Sequence, residues 1–160
     1  METMANNLTD YALLQRQAAA LLEDERDLIA NAANLAAFLY HELPDVNWVG
    51  FYFAAPSGLV LGPFSGKPAC TRLPADRGVC SAAVRQQVTL IVADVHAVAD
   101  HIVCDSASES EIVIPLMNKG KVFGVLDIDS PRKSRFTKAD GEGLERIVAD
   151  FLRLTELSEV

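Results

Sequence analysis

Two kinds of side chain in this chain are equipped for chemistry: three thiols and a set of three acids. The thiols are Cys70, Cys80 and Cys104; the acids are Glu111, Asp127 and Asp129. A cysteine reacts as its thiolate, either as a nucleophile or as half of a reversible disulfide. Without such chemistry it is a small buried hydrophobe. Cys104 stands apart because it lies in a long polar connection, residues 96–109, beside Ser106-Ala107-Ser108. Long connections without structure of their own are often functional. The cysteine count is odd, and neither C-x-x-C nor H-x-x-x-H spacing occurs. This argues against a disulfide framework and against a structural zinc site. His96 and His101 fall in the same connection and read as ordinary exposed loop residues.

Asp127 and Asp129 sit two apart in the apolar run Val122 to Asp129, so both point to one face of a strand. Phe123 and Val125 are expected on that face too. Two acids in apolar surroundings are costly unless something pairs with them; otherwise they must lie beyond the sheet edge in water. Glu111 joins them or not according to hairpin register. A two-residue Lys119-Gly120 turn places Glu111 opposite Ile128, facing away. A three-residue connection places it opposite Asp127 or Asp129, and this register is the expectation. A slip of one residue moves every side chain to the other face. Three converging acids cannot all ionise freely, so at least one pKa rises. A carboxyl that keeps its proton near neutral pH is a general acid.

The surrounding pattern must position these groups. Residues 8–22 repeat apolar positions at helical spacing, with Thr9 as N-cap. A second helix is expected from about Asp24 to His41, with Asp24, Glu25 and Asp27 in its first turn, where the helix dipole favours acids. Asn47 to Phe53 reads as a strand: Trp48, Gly50 and Tyr52 share one face, Val49, Phe51 and Phe53 the other. Pro56-Ser57-Gly58 turns the chain into a return strand, Leu59 to Phe64. A short extended piece follows at Thr71-Arg72-Leu73, then a helix from Gly78 to Gln87 with Cys80, Ala83 and Val84 inward, then a strand at residues 89–92. Thr137-Lys138-Ala139-Asp140 resembles a capping box and opens a final helix to about Leu157. Hairpins dominate the order, which implies an antiparallel sheet with helices on one face, an α+β architecture.

Composition narrows the function classes. The chain has 160 residues, half of them hydrophobic, which suits one domain spanning 1–160. Its formal charge is −8, with no basic cluster, so nucleic acid is excluded as a partner. No uninterrupted apolar run reaches about 18 residues, so no membrane span is expected. Met1–Asn7 lacks the basic and apolar regions of a signal peptide, which points to the cytoplasm.

The segments Phe123-Gly124-Val125-Leu126-Asp127-Ile128-Asp129-Ser130, Asn47-Trp48-Val49-Gly50-Phe51-Tyr52 and Gly78-Val79-Cys80-Ser81-Ala82-Ala83 together resemble the GAF-domain free methionine-(R)-sulfoxide reductases. Segment order and cysteine spacing fit as well, from about residue 10 to 155. The resemblance implies a GAF fold: a central antiparallel sheet, the N- and C-terminal helices on one face, and a ligand pocket under loops on the other. It implies that Cys104 is the catalytic thiol, that Cys70 resolves the oxidised enzyme through a Cys70–Cys104 disulfide, and that Cys80 is a secondary thiol. Glu111 and Asp129 are then catalytic carboxylates, and Asp127, Trp48 and Tyr52 bind substrate. The aromatic rings suit the substrate's S-methyl group. The further implications are thioredoxin as external reductant, no bound cofactor or metal, and a homodimer paired through the terminal helices. A non-catalytic ligand-sensing GAF module and a thiol-based redox switch are the rival readings, because fold does not fix function.

Overall fold

The computed structural model describes residues 8–158 and 160; the reading of Met1–Asn7 lies outside them. Four helices, α1 (Tyr11–Leu22), α2 (Leu28–Glu42), α3 (Val79–Gln86) and α4 (Lys138–Leu154), accompany six strands. The strands are β1 (Trp48–Ala55), β2 (Gly58–Gly66), β3 (Arg72–Pro74), β4 (Leu90–Val92), β5 (Ser110–Asn118) and β6 (Lys121–Ser130). They form one antiparallel sheet in the order β3-β2-β1-β6-β5-β4. Among the described residues, no helix is long and apolar enough to cross a membrane.

Helix ends follow the acids more closely than the apolar pattern suggested. Asp10, not Thr9, caps α1, its carboxylate accepting from the Leu13 N–H at 3.0 Å. Helix α2 starts later than expected. Asp27 is its N-cap, accepting from the Ala30 N–H at 2.8 Å, while Glu25 accepts from the N–H groups of Arg26 and Asp27 ahead of it. A short acidic side chain gains more by capping orphan N–H groups than by sitting inside the first turn. The Thr137–Asp140 capping box is present, and α4 ends at Leu154, before Leu157.

The sheet separates two apolar layers. On one side α2 and α4 cover Val49, Phe51, Ile112, Ile114, Leu116, Leu126 and Ile128, and α1 packs on α4 and α2. On the other side α3 and the loops cover Trp48, Tyr52, Val113 and Val125. The period-two division of β1 into these faces is as its sequence indicates.

The β5–β6 hairpin departs from expectation in its means but not in its result. The turn holds only two residues: Asn118 pairs with Lys121, and Lys119 (φ 51°) and Gly120 (φ 77°) both adopt positive φ. That is the type I′ geometry that matches strand twist. Left alone it would put Glu111 opposite Ile128. A bulge intervenes. Met117 pairs with Val122 but Leu116 pairs with Gly124, leaving Phe123 as the extra residue. The register shifts by one, and Glu111 faces Asp129. The same bulge sends Phe123 into the helix-side core, beside Phe53, while Val125 stays on the opposite face. Phe123 therefore does not share a face with Asp127 and Asp129.

Candidate active site

The central strands bring the three acids together. Asp127 lies between Gly50 of β1 and Val113 of β5; Asp129 lies between Trp48 and Glu111. All three acids line one cavity, together with Trp48, Tyr52, Cys80 and Cys104. Glu111 and Asp127 are each only 6% exposed. Glu111 Oε1 and Asp127 Oδ1 are buried with no hydrogen-bond partner among the described residues.

Gly50 makes the room. A Cβ there would overlap Trp48 Cη2 and come within 2.5 Å of Phe64 Cβ, because the indole lies across the glycine and stacks on Phe64. Trp48 is the chain's one tryptophan, so its emission reports on this cavity. Gly50→Ala is expected to displace the ring and shift its emission to the red relative to wild type; an unchanged spectrum would show that the methyl group is absorbed elsewhere.

Electrostatics at the cavity floor are those of crowded, buried acids. Burial, then the charges of Asp129 and Glu111, raise the Asp127 carboxyl well above the ordinary range. Burial and Glu111, with a smaller contribution from Asp105, do the same to Asp129. Burial also pushes up the Cys80 thiol and the Tyr52 phenol, with Asp127 the next largest influence on each. Both carboxyls thus hold a proton in a pH range where an exposed aspartate would have lost it.

Above the floor, Cys70 and Cys104 are joined by a disulfide, with Cα atoms 5.4 Å apart; Cys80 is free and buried. The Cys70 segment is tied to the aromatic pair. The Tyr52 hydroxyl donates to the Cys70 carbonyl at 2.8 Å, and Trp48 Nε1–H donates to the Lys67 carbonyl at 3.1 Å. The two rings stack with centroids 5.9 Å apart.

Every site residue singled out from the sequence meets at this cavity or at the disulfide that roofs it. One neighbour was undervalued. His101 is largely buried, lines the cavity and brings Nε2 to 3.7 Å from Glu111 Oε1. Its only sequence signal is its position three residues before Cys104. His96 is exposed and faces Glu109 at 3.3 Å, away from the cavity.

Residues 27–155 match the GAF domain family. The chain belongs to the GAF domain family. Over 90% of its length this GAF domain is 49% identical to the free methionine-R-sulfoxide reductase of Escherichia coli, covering 87% of that protein. Its fold is similar to that of fRMsr of Staphylococcus aureus in the reduced form, with a TM-score of 0.89, 47% identity, and coverage of 96% of this chain and 99% of that one. It is also similar to the free methionine-R-sulfoxide reductase of Neisseria meningitidis in complex with its substrate, with a TM-score of 0.87 and 39% identity, covering 96% and 95% of the two chains.

Proposed function

We propose that this chain, read as a single GAF domain over residues 1–160, reduces free L-methionine (R)-S-oxide to L-methionine by thiol chemistry. The observation that carries this reading is the Cys70–Cys104 disulfide standing over a cavity floored by Glu111, Asp127 and Asp129. The R preference is taken from the names of the relatives above.

In the reduced enzyme the Cys104 sulfur attacks the sulfoxide sulfur. The S–O oxygen is a poor leaving group until protonated, and Asp129 and Glu111 are the carboxyls assigned to protonate it. The Cys104–substrate S–S bond forms while the protonated oxygen is still on the substrate sulfur. That hydroxyl then passes to the Cys104 sulfur as the S–O and S–S bonds to the substrate sulfur break. Methionine leaves with the electron pair, and Cys104 is left as a sulfenic acid. The Cys70 thiol then attacks that sulfur, forming the disulfide and releasing water. The Tyr52 bond to the Cys70 carbonyl holds the resolving segment in reach. The faces of Trp48 and Tyr52 receive the S-methyl group.

Asp127, with the charge left on the cluster, binds the substrate ammonium. A peptide-bound methionine sulfoxide has no such cation, which accounts for a preference for the free amino acid. An external dithiol, assigned as cytoplasmic thioredoxin, exchanges with the disulfide and resets both thiols. One reversible disulfide beside a free thiol suits a reducing compartment. Leu13 and Leu21, exposed eight residues apart on α1, support a homodimer built on that helix.

The test is NADPH consumption with thioredoxin, thioredoxin reductase and free methionine sulfoxide, with a peptide-bound sulfoxide in parallel. Turnover confined to the free R epimer is the expected result. No turnover with either epimer would sink the reading.

A further inference from the structure

Cys80 has no step in the thiol cycle, yet its sulfur sits on the cavity floor. Its Sγ and one carboxylate oxygen each from Glu111 and Asp127 all lie within 4.8 Å of one another. The three residues are 5%, 6% and 6% exposed. Glu111 Oε1 and Asp127 Oδ1, one oxygen from each acid of the cluster, have no hydrogen-bond partner among the described residues. An orphaned buried acceptor is costly; a proton shared among the acids offsets that cost, and a cation can take the proton's place.

A substrate ammonium satisfies the oxygens and leaves the sulfur unused. A divalent cation of borderline softness uses all three. Zinc takes thiolate at about 2.3 Å and carboxylate at about 2.0–2.2 Å, so the side chains need close in by only about 1 Å. Magnesium and calcium prefer oxygen alone. The other candidate cluster, Asp94, His96 and Glu109, is less enclosed, and Asp94 is already paired with Lys133 at 3.2 Å.

We propose that Cys80, Glu111 and Asp127 form a three-ligand site for a zinc-class cation, with the fourth position open to the cavity beside His101. The ion is an inhibitor rather than a cofactor, since it occupies the place assigned to the substrate ammonium. The binding half of this proposal is independent of the reductase reading; the inhibitory half rests on it.

The disulfide form is the one to test, because Cys70 and Cys104 cannot ligate metal in it. Titration with CoCl2 is expected to give one ion per chain and a near-ultraviolet thiolate-to-cobalt charge-transfer band, which ZnCl2 then removes. Cys80→Ser should abolish the band, and Glu111→Gln should weaken cobalt binding at least tenfold. Methionine should raise the apparent Kd for cobalt more than glycine does at equal concentration, since both chelate the free ion through the same groups. A wild-type protein without the band, or a Cys80→Ser protein that keeps it, overturns the site. Equal effects of methionine and glycine overturn the competition. The wild-type band decides the matter even if a variant fails to fold, and it stands or falls separately from the NADPH assay.

Discussion

Cys104→Ser is expected to reduce turnover of free methionine sulfoxide by about 10⁴-fold or more. A nucleophile that forms a covalent intermediate cannot be replaced by positioning alone, and losing it costs about as much as losing all the groups that act with it. The fold should survive, because the hydroxyl is nearly isosteric and Cys104 lies in a loop outside both apolar layers. Cys70→Ser gives the discriminating companion result. With only the first thiol present, the protein should release about one methionine per chain and then stop, holding a sulfenic acid that a dimedone-type reagent traps. If Cys70→Ser released none while Cys104→Ser released one, the two roles would be reversed. Purified methionine production, rather than thiol loss, is the quantity to follow, because a redox switch would lose thiols without producing it.

The acids yield the second large effect, and it acts on activity and stability in opposite directions. Asp129→Asn should lower kcat by about 10²–10⁴-fold, the usual worth of a positioned general acid. Asp127→Asn should act mainly on KM, by weakening the hold on the ammonium. Both changes remove an ionisable group from a crowded, desolvated cluster, so both should raise the thermal midpoint at neutral pH. The sign follows from the raised carboxyls. The folded chain keeps protons that the unfolded chain releases above about pH 3.8. Stability therefore falls as pH rises from that value towards the folded pKa, by at most about 1.4 kcal/mol per pH unit per group. Each variant's advantage should vanish near pH 4 and widen towards pH 7. Denaturant melts of wild type and variants across that range measure it. Because Asp140, whose carboxyl is lowered, loses its own contribution on acidification, the quantity to read is the difference between variant and wild type. A difference that instead shrank from pH 4 to pH 7 would show that these acids are paired. The trade between activity and stability is the one expected where a site is built from mutually unfavourable groups.

Much of this site can be read from residue periodicity, and the exceptions have physical causes. The alternation of Trp48, Gly50 and Tyr52 against Val49, Phe51 and Phe53 places the aromatics correctly, because a strand has only two faces. The pairing of Asp127 with Asp129 follows for the same reason. Glu111 was harder. Its orientation depends on the residue count between it and the aspartates, and an apolar bulge residue such as Phe123 is indistinguishable in sequence from an ordinary strand residue. The type I′ turn and the bulge contribute opposite one-residue changes, so a wrong turn length led to a correct facing. The start of α2 was misplaced because Asp24, Glu25 and Asp27 suit both a first turn and a capped approach to one. His101 reads in the sequence as an ordinary exposed loop residue because nothing local folds the 96–109 connection inward. Long-range contacts hold it over the sheet, among them a covalent bond from Cys104 to Cys70.

That bond also makes the chain's topology depend on its redox state. It spans 34 residues of sequence and encloses β3, α3 and β4, the segment that supplies one wall of the cavity. While it is intact the polypeptide carries a closed ring, and an unfolded chain containing such a ring has fewer conformations to gain. In the chain-entropy treatment a ring of this size adds about 4 kcal/mol to stability. Reduction opens the ring and removes that contribution. The form competent to accept substrate is therefore the more easily unfolded one, and each turnover passes the molecule through its weaker state before the ring closes again.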